Sequence, residues 1–195
     1  EPIDYLGSRV NQHGSGGEQR EDAQPKPDGD APWHNVYVDI PGTGSIEGGG
    51  EGEWLFIGAH FDAVARSPGA DDNGTGVATL LEAARVLKNH PMQRSVRLIF
   101  FNLEEVGLVG SRAHAGRLQP MLEKGEMAVA GMVSLDMLGF YSDKPNSQKS
   151  PIPESKMFKP PNVADFIGLG GILAHRTFSQ ALVKASVAGV VKRGR

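Results

Sequence analysis

The residues best suited to chemistry fall in a few short polar segments, each placed against an apolar run. The first is His60-Phe61-Asp62. Imidazole is the commonest nitrogen ligand for zinc, and a nearby carboxylate can hold its second ring nitrogen and so fix the tautomer. The second is the adjacent pair Asp71-Asp72, inside the glycine-bounded stretch Gly69-Ala70-Asp71-Asp72-Asn73-Gly74-Thr75-Gly76. A carboxylate in so short a loop could bridge two cations, and glycines let the backbone pass close to a metal. The third is Glu104-Glu105, directly after the apolar Phe100-Phe101. Adjacent glutamates repel unless solvated or metal-bound, and in an extended strand they would point to opposite faces. Both can serve one site only if the chain turns there, one as a ligand and the other as a proton acceptor. The fourth is Asp136, alone in Val133-Ser134-Leu135-Asp136-Met137-Leu138, where burial without a partner is costly. Each segment also has an ordinary reading: a solvated loop histidine, helix-capping acids, an acidic corner, a salt-bridged aspartate.

These residues share a position relative to the elements that must hold them. Residues 54–59 form a continuous apolar run, as expected for a strand covered on both faces. Residues 75–88 follow with Val77, Leu80, Leu81, Ala84 and Leu87 spaced as one helical stripe. Residues 96–101 predict the next strand. Residues 108–122 predict a helix weakened by Gly110 and Gly116 and closed near Pro120, and residues 129–135 predict a third buried strand. Strand, helix, strand, helix, strand implies crossover connections and a largely parallel sheet with helices on both faces. His60, Glu104, Glu105 and Asp136 then all sit just past the carboxyl ends of strands, the edge where open α/β sheets bind ligands. Upstream, residues 35–40 alternate as a strand, while residues 1–33 are read as loop-rich or poorly ordered. Residues 142–162 are read as an exposed excursion rich in Pro, Ser and Lys, and residues 171–187 as a last helix.

Bulk composition narrows the classes. The formal net charge of -3, without a basic cluster, gives no electrostatic case for nucleic acid. The absence of cysteine excludes disulfide frameworks, thiolate zinc sites and cysteine nucleophiles. No apolar run reaches the roughly 18 to 20 residues needed to span a bilayer.

Taken together, Ala59-His60-Phe61-Asp62, Pro68 to Gly76 (PGADDNGTG), Glu104 to Ser111 (EEVGLVGS) and Leu135-Asp136-Met137 resemble the co-catalytic di-zinc aminopeptidases of the bacterial leucine aminopeptidase and glutamate carboxypeptidase type. The resemblance implies a three-layer α/β/α sandwich with a mixed, largely parallel central sheet, and a catalytic domain over residues 34–195. It makes His60 and Asp136 ligands of one zinc ion and Asp72 the bridging carboxylate. Glu105 becomes a ligand of the second zinc, Glu104 the general base, and Asp62 the partner of His60, with Asp71 non-ligating. The implied activity is hydrolysis of N-terminal residues from peptide substrates by a zinc-activated water, with a secreted or periplasmic location. Such sites hold two zinc ions and take a further histidine as fifth ligand. His13, His34, His90, His114 and His175 lack a supporting motif, so that histidine is expected beyond Arg195, with the catalytic domain lacking its C-terminal part. Two other readings are a single-zinc glutaminyl-cyclase-like transferase and a catalytically inactive, peptidase-like binding domain.

Overall fold

A computed structural model describes residues 8–10, 33–44, 53–149, 154–155 and 159–193. The chain divides into two compact units, Glu1–Gly139 and Phe140–Arg195, and every residue of the candidate site lies in the first.

Among the described residues the first unit is built on one sheet: β1 (Ser8–Val10), β2 (Trp33–Ile40), β3 (Glu53–His60), β4 (Ser95–Phe101) and β5 (Ala128–Ser134), in the order β1-β2-β4-β3-β5. β4, β3 and β5 run parallel, while β2 pairs antiparallel with β4, Val36 opposite Phe100 and Ile40 opposite Val96. The sheet is therefore mixed with a parallel centre. Helix α1 (Gly74–Asn89) connects β3 to β4, and α2 (Val109–Glu123) connects β4 to β5.

The alternation of β4 explains the layering. Val96 and Leu98 point to one face, where with Ala59 and Leu80 they form a core that also takes Ala83, Ala84 and Leu87 of α1. Ile99 and Phe101 point to the other, where they pack with Phe56 and with Leu118 of α2. The two helices thus cover opposite faces, giving the three-layer α/β/α arrangement. Because α1 leaves one side of the sheet and α2 the other, the chain diverges past the ends of the adjacent strands β3 and β4, the place where open α/β sheets bind ligands.

Several details differ from the sequence reading. Ser8–Val10, within the segment read as loop, pairs with Trp33–Asn35 as an antiparallel edge strand; the rest of 1–33, apart from Trp33 in β2, lies outside the described residues. Leu81 is 59% exposed, because the inner face of α1 runs through Gly76, Leu80, Ala83, Ala84 and Leu87 instead. Helix α2 continues through Pro120 to Glu123. A proline so near the end deprives only the carbonyl one turn back, at exposed Gly116. β5 is not buried on both faces but is an edge strand of the sheet among the described residues, half-exposed along much of its length. Asp136 lies beyond its end and is exposed.

In the second unit, the described residues between 142 and 164 are irregular. Ser142 N–H donates to the Ala164 carbonyl at 2.8 Å and Gln148 N–H to the Asn162 carbonyl at 3.1 Å. A short 3-10 turn, Leu173–His175, leads into α3 (Arg176–Arg193). No helix of the described residues is long and apolar enough to cross a membrane.

Candidate metal centre

His60 is the last residue of β3, and its side chain is 6% exposed. Its Nδ1 lies 3.0 Å from the backbone carbonyl oxygen of Asp62. A carbonyl can only accept, so this contact places the proton of the neutral ring on Nδ1 and leaves the Nε2 lone pair free. Nε2 faces two carboxylates, Asp72 Oδ1 at 3.1 Å and Asp136 Oδ1 at 3.7 Å. The ligand atoms of His60, Asp72 and Asp136 all lie within 4.8 Å of one another. One imidazole nitrogen and two carboxylate oxygens, one end buried and the other open to solvent, suit a zinc site with a position left for a substrate.

The neighbouring loops explain why these groups converge. Asn73 is almost fully buried as the N-cap of α1. Its Oδ1 accepts from Gly76 N–H at 3.1 Å, and its Nδ2 donates to the Leu135 carbonyl at 2.8 Å. One side chain thereby ties the Asp72 loop to the end of β5, next to Asp136. Asp71 faces elsewhere: its Oδ1 accepts from Gly139 N–H at 2.7 Å. Thr75 Oγ1 donates to the Asp71 carbonyl at 2.8 Å and accepts from Leu138 N–H at 3.0 Å, which fastens the segment after Asp136 to α1.

Glu104 and Glu105 sit on a turn, as a shared site requires. Leu103 has a φ of 55° and Leu108 a φ of 61°, and Gly107 and Leu108 N–H both donate to the Glu104 carbonyl, at 3.0 and 2.8 Å. The Asp62 carboxylate grips this turn. Its Oδ1 accepts from Glu104 N–H at 3.0 Å and its Oδ2 from Glu105 N–H at 3.1 Å. Expected beside His60, that carboxylate stands 3.6 Å from Nδ1, and the closer contact to the ring comes from the Asp62 backbone. The carboxylate of Glu105 is not in the group that converges with His60, Asp72 and Asp136 among the described residues.

The electrostatics reflect crowded acids. Burial raises the Glu104 carboxyl, with Glu105, Asp136 and Asp62 adding to the effect against the opposing pull of His60. Burial likewise raises Asp136, with Asp72 and Asp71 contributing. For His60, burial alone would favour the neutral ring, but the Asp62 carbonyl and the surrounding carboxylates outweigh it and the value is raised. A divalent cation among such groups acts in the other direction, favouring carboxylate and neutral imidazole.

Sequence reading did not single out Asn35. It is fully buried in β2, its Oδ1 accepts from Asn102 N–H at 2.9 Å, and its Nδ2 donates to the Gly110 carbonyl at 2.7 Å. It therefore touches both ends of the loop that carries Glu104 and Glu105. The only local hint was a polar residue at a strand position that faces a core.

Comparison with known proteins identifies the family of the chain. The profile of peptidase family M28 matches residues 35–163, and the chain belongs to that family. It is 33% identical over 153 residues to the uncharacterized protein YfbL of Escherichia coli, covering 72% of this chain and 43% of YfbL. It is 42% identical over 91 residues to aminopeptidase YwaD of Bacillus subtilis, covering 46% of this chain and 19% of YwaD. The crystal structure of LapA from Legionella pneumophila shares the fold, with a TM-score of 0.51 at 24% identity over 72% of this chain and 32% of that one. The chain spans less than half the length of each of these proteins.

Proposed function

We propose that the chain carries most of the active site of a zinc aminopeptidase that removes N-terminal residues from peptides. The observation that carries the reading is the convergence of His60 Nε2 with Asp72 and Asp136, beside a turn that presents Glu104. His60 and Asp136 would hold one zinc ion, Asp72 would bridge, and Glu105 would serve a second ion together with a histidine. Bound zinc supplies a Lewis acid that polarises the peptide carbonyl and acidifies water.

The chain's own residues account for the rest. The Asp62 backbone fixes the His60 tautomer, and the Asp62 carboxylate fixes the Glu104 turn. Glu104, whose carboxyl is raised by burial, takes the proton from the attacking water and returns it to the leaving amine. A raised carboxyl suits a base that must also act as an acid. Family membership and the likeness to aminopeptidase YwaD support a peptidase over the other readings.

The test is hydrolysis of aminoacyl anilides by the zinc-loaded protein and by Glu104→Gln. The variant should keep its zinc and lose about a hundredfold to ten-thousandfold in kcat. Zinc binding without any hydrolysis would favour a binding domain. One zinc with cyclisation of an N-terminal glutamine would favour the transferase. Equal activity in the variant would remove Glu104 from the mechanism.

A further inference from the structure

We propose that Asn35 is a positioning residue for the site, holding closed the 102–110 loop and through it orienting Glu104 and Glu105. That loop joins β4 to α2 in a conformation its own sequence does not favour. Leu103 and Leu108 both occupy the left-handed region, with φ of 55° and 61°, where the Cβ of a leucine crowds the following carbonyl oxygen. Such backbone persists only where surrounding contacts over-determine it. Two side chains supply those contacts from opposite ends. Asp62 binds the turn amides at Glu104 and Glu105. Asn35 binds the base, its Oδ1 on Asn102 N–H and its Nδ2 on the Gly110 carbonyl.

The base itself is tight. Gly110 N–H donates to the Asn102 carbonyl at 3.1 Å and Val109 N–H to the Leu103 carbonyl at 2.9 Å. A Cβ at Gly110 would collide with the Asn102 carbonyl and with Asn35 Oδ1. Asn35 fits this place because an amide side chain can both accept from the Asn102 N–H and donate to the Gly110 carbonyl. Aspartate lacks the donor and leucine lacks both. Full burial of Asn35 also means that no water replaces a lost contact without rearrangement. Asn35 stands on β2 and is remote in sequence from the loop, so the antiparallel β2–β4 pairing delivers it there.

The catalytic half of this inference rests on the peptidase reading, and the structural half does not. The experiment compares Asn35→Ala, the milder Asn35→Ser, and Val96→Ala, a buried change at the far end of β4, with the wild-type chain. Hydrogen exchange by mass spectrometry reads the peptides covering 102–110, and kcat and KM are measured on the folded, zinc-loaded proteins. In the Asn35 variants exchange at the loop amides should rise roughly tenfold or more over that of α1 and β3. In the same variants kcat should fall about tenfold to a hundredfold with KM changed less than about threefold. Val96→Ala should leave loop exchange and kcat of the folded protein unchanged. Unaltered loop exchange in both Asn35 variants, or the same changes in Val96→Ala, would overturn the proposal. If the wild-type chain hydrolyses nothing, its kinetics fail to support the peptidase reading, and the exchange data alone decide whether Asn35 holds the loop.

Discussion

His114 gives the fold an acid-sensitive point that can be measured without any assay of function. It lies on α2 at 6% exposure, its Nε2 has no hydrogen-bond partner among the described residues, and its ring meets Tyr37, Phe56 and Phe101 edge-on at centroid distances of 5.7, 6.1 and 5.9 Å. Burial pushes its pKa down from 6.5 to about 4, with the Arg97 and Arg117 charges adding to the effect and Asp39 opposing it. The folded value lies below the unfolded one, so the neutral ring's contribution is fully present above pH 6.5. It is lost as pH falls toward 4, because only the unfolded chain takes up the proton in that window. The whole gap corresponds to about 3 kcal/mol, of which about 2 kcal/mol is lost between pH 7 and pH 5. His114→Phe keeps an aromatic ring in the box and removes the titration. Urea unfolding followed by circular dichroism, in EDTA so that pH-dependent cation binding drops out, should give midpoints that converge on acidification. Relative to the variant, the wild-type midpoint should fall by roughly 1 M urea between pH 7 and pH 5. Parallel pH profiles for the two proteins would show that His114 is not buried neutral, and the reasoning would fail.

Three further changes probe the loops that assemble the site. Asp62→Ala removes the acceptor for both turn amides and should lower turnover on an aminoacyl anilide by about tenfold to a hundredfold, with an unchanged circular dichroism spectrum. Asn73→Ala removes the α1 cap and the link to Leu135, and should cost about 2 kcal/mol in thermal unfolding; zinc affinity by calorimetry should weaken as the Asp72 loop separates from Asp136. Gly110→Ala places a methyl group against the Asn102 carbonyl and Asn35, and should destabilise by about 1–3 kcal/mol in the same unfolding assay.

How far the sequence revealed this protein depends on the range of the interactions involved. The α1 span, the β3 and β4 runs and the strand-end positions of His60, Glu104 and Asp136 follow from local periodicity, because buried strands must be apolar and polar groups then accumulate at their ends. The turn at Glu104-Glu105 was required by having two acids serve one place, and Leu103 and Leu108 supply it. The grips on that turn were not legible. Asp62 reaches it across 42 and 43 residues and Asn35 across 67 and 75, distances over which no local pattern operates. Edge strand β1 escaped notice because three residues carry no period, and their pairing is set by β2. The exposure of Leu81 turned on a single residue step around α1, which composition does not resolve.

The central claim is that His60, Asp72 and Asp136 hold zinc, and metal content tests it most directly. Wild type, His60→Ala and Asp72→Ala would be loaded with zinc, dialysed extensively and measured by mass spectrometry for metal per folded chain. The expected result is roughly one zinc ion or more per wild-type chain, with a large loss in both variants while their circular dichroism spectra remain those of the folded protein. A wild-type chain that retains no zinc, or variants that retain the wild-type amount, would contradict it.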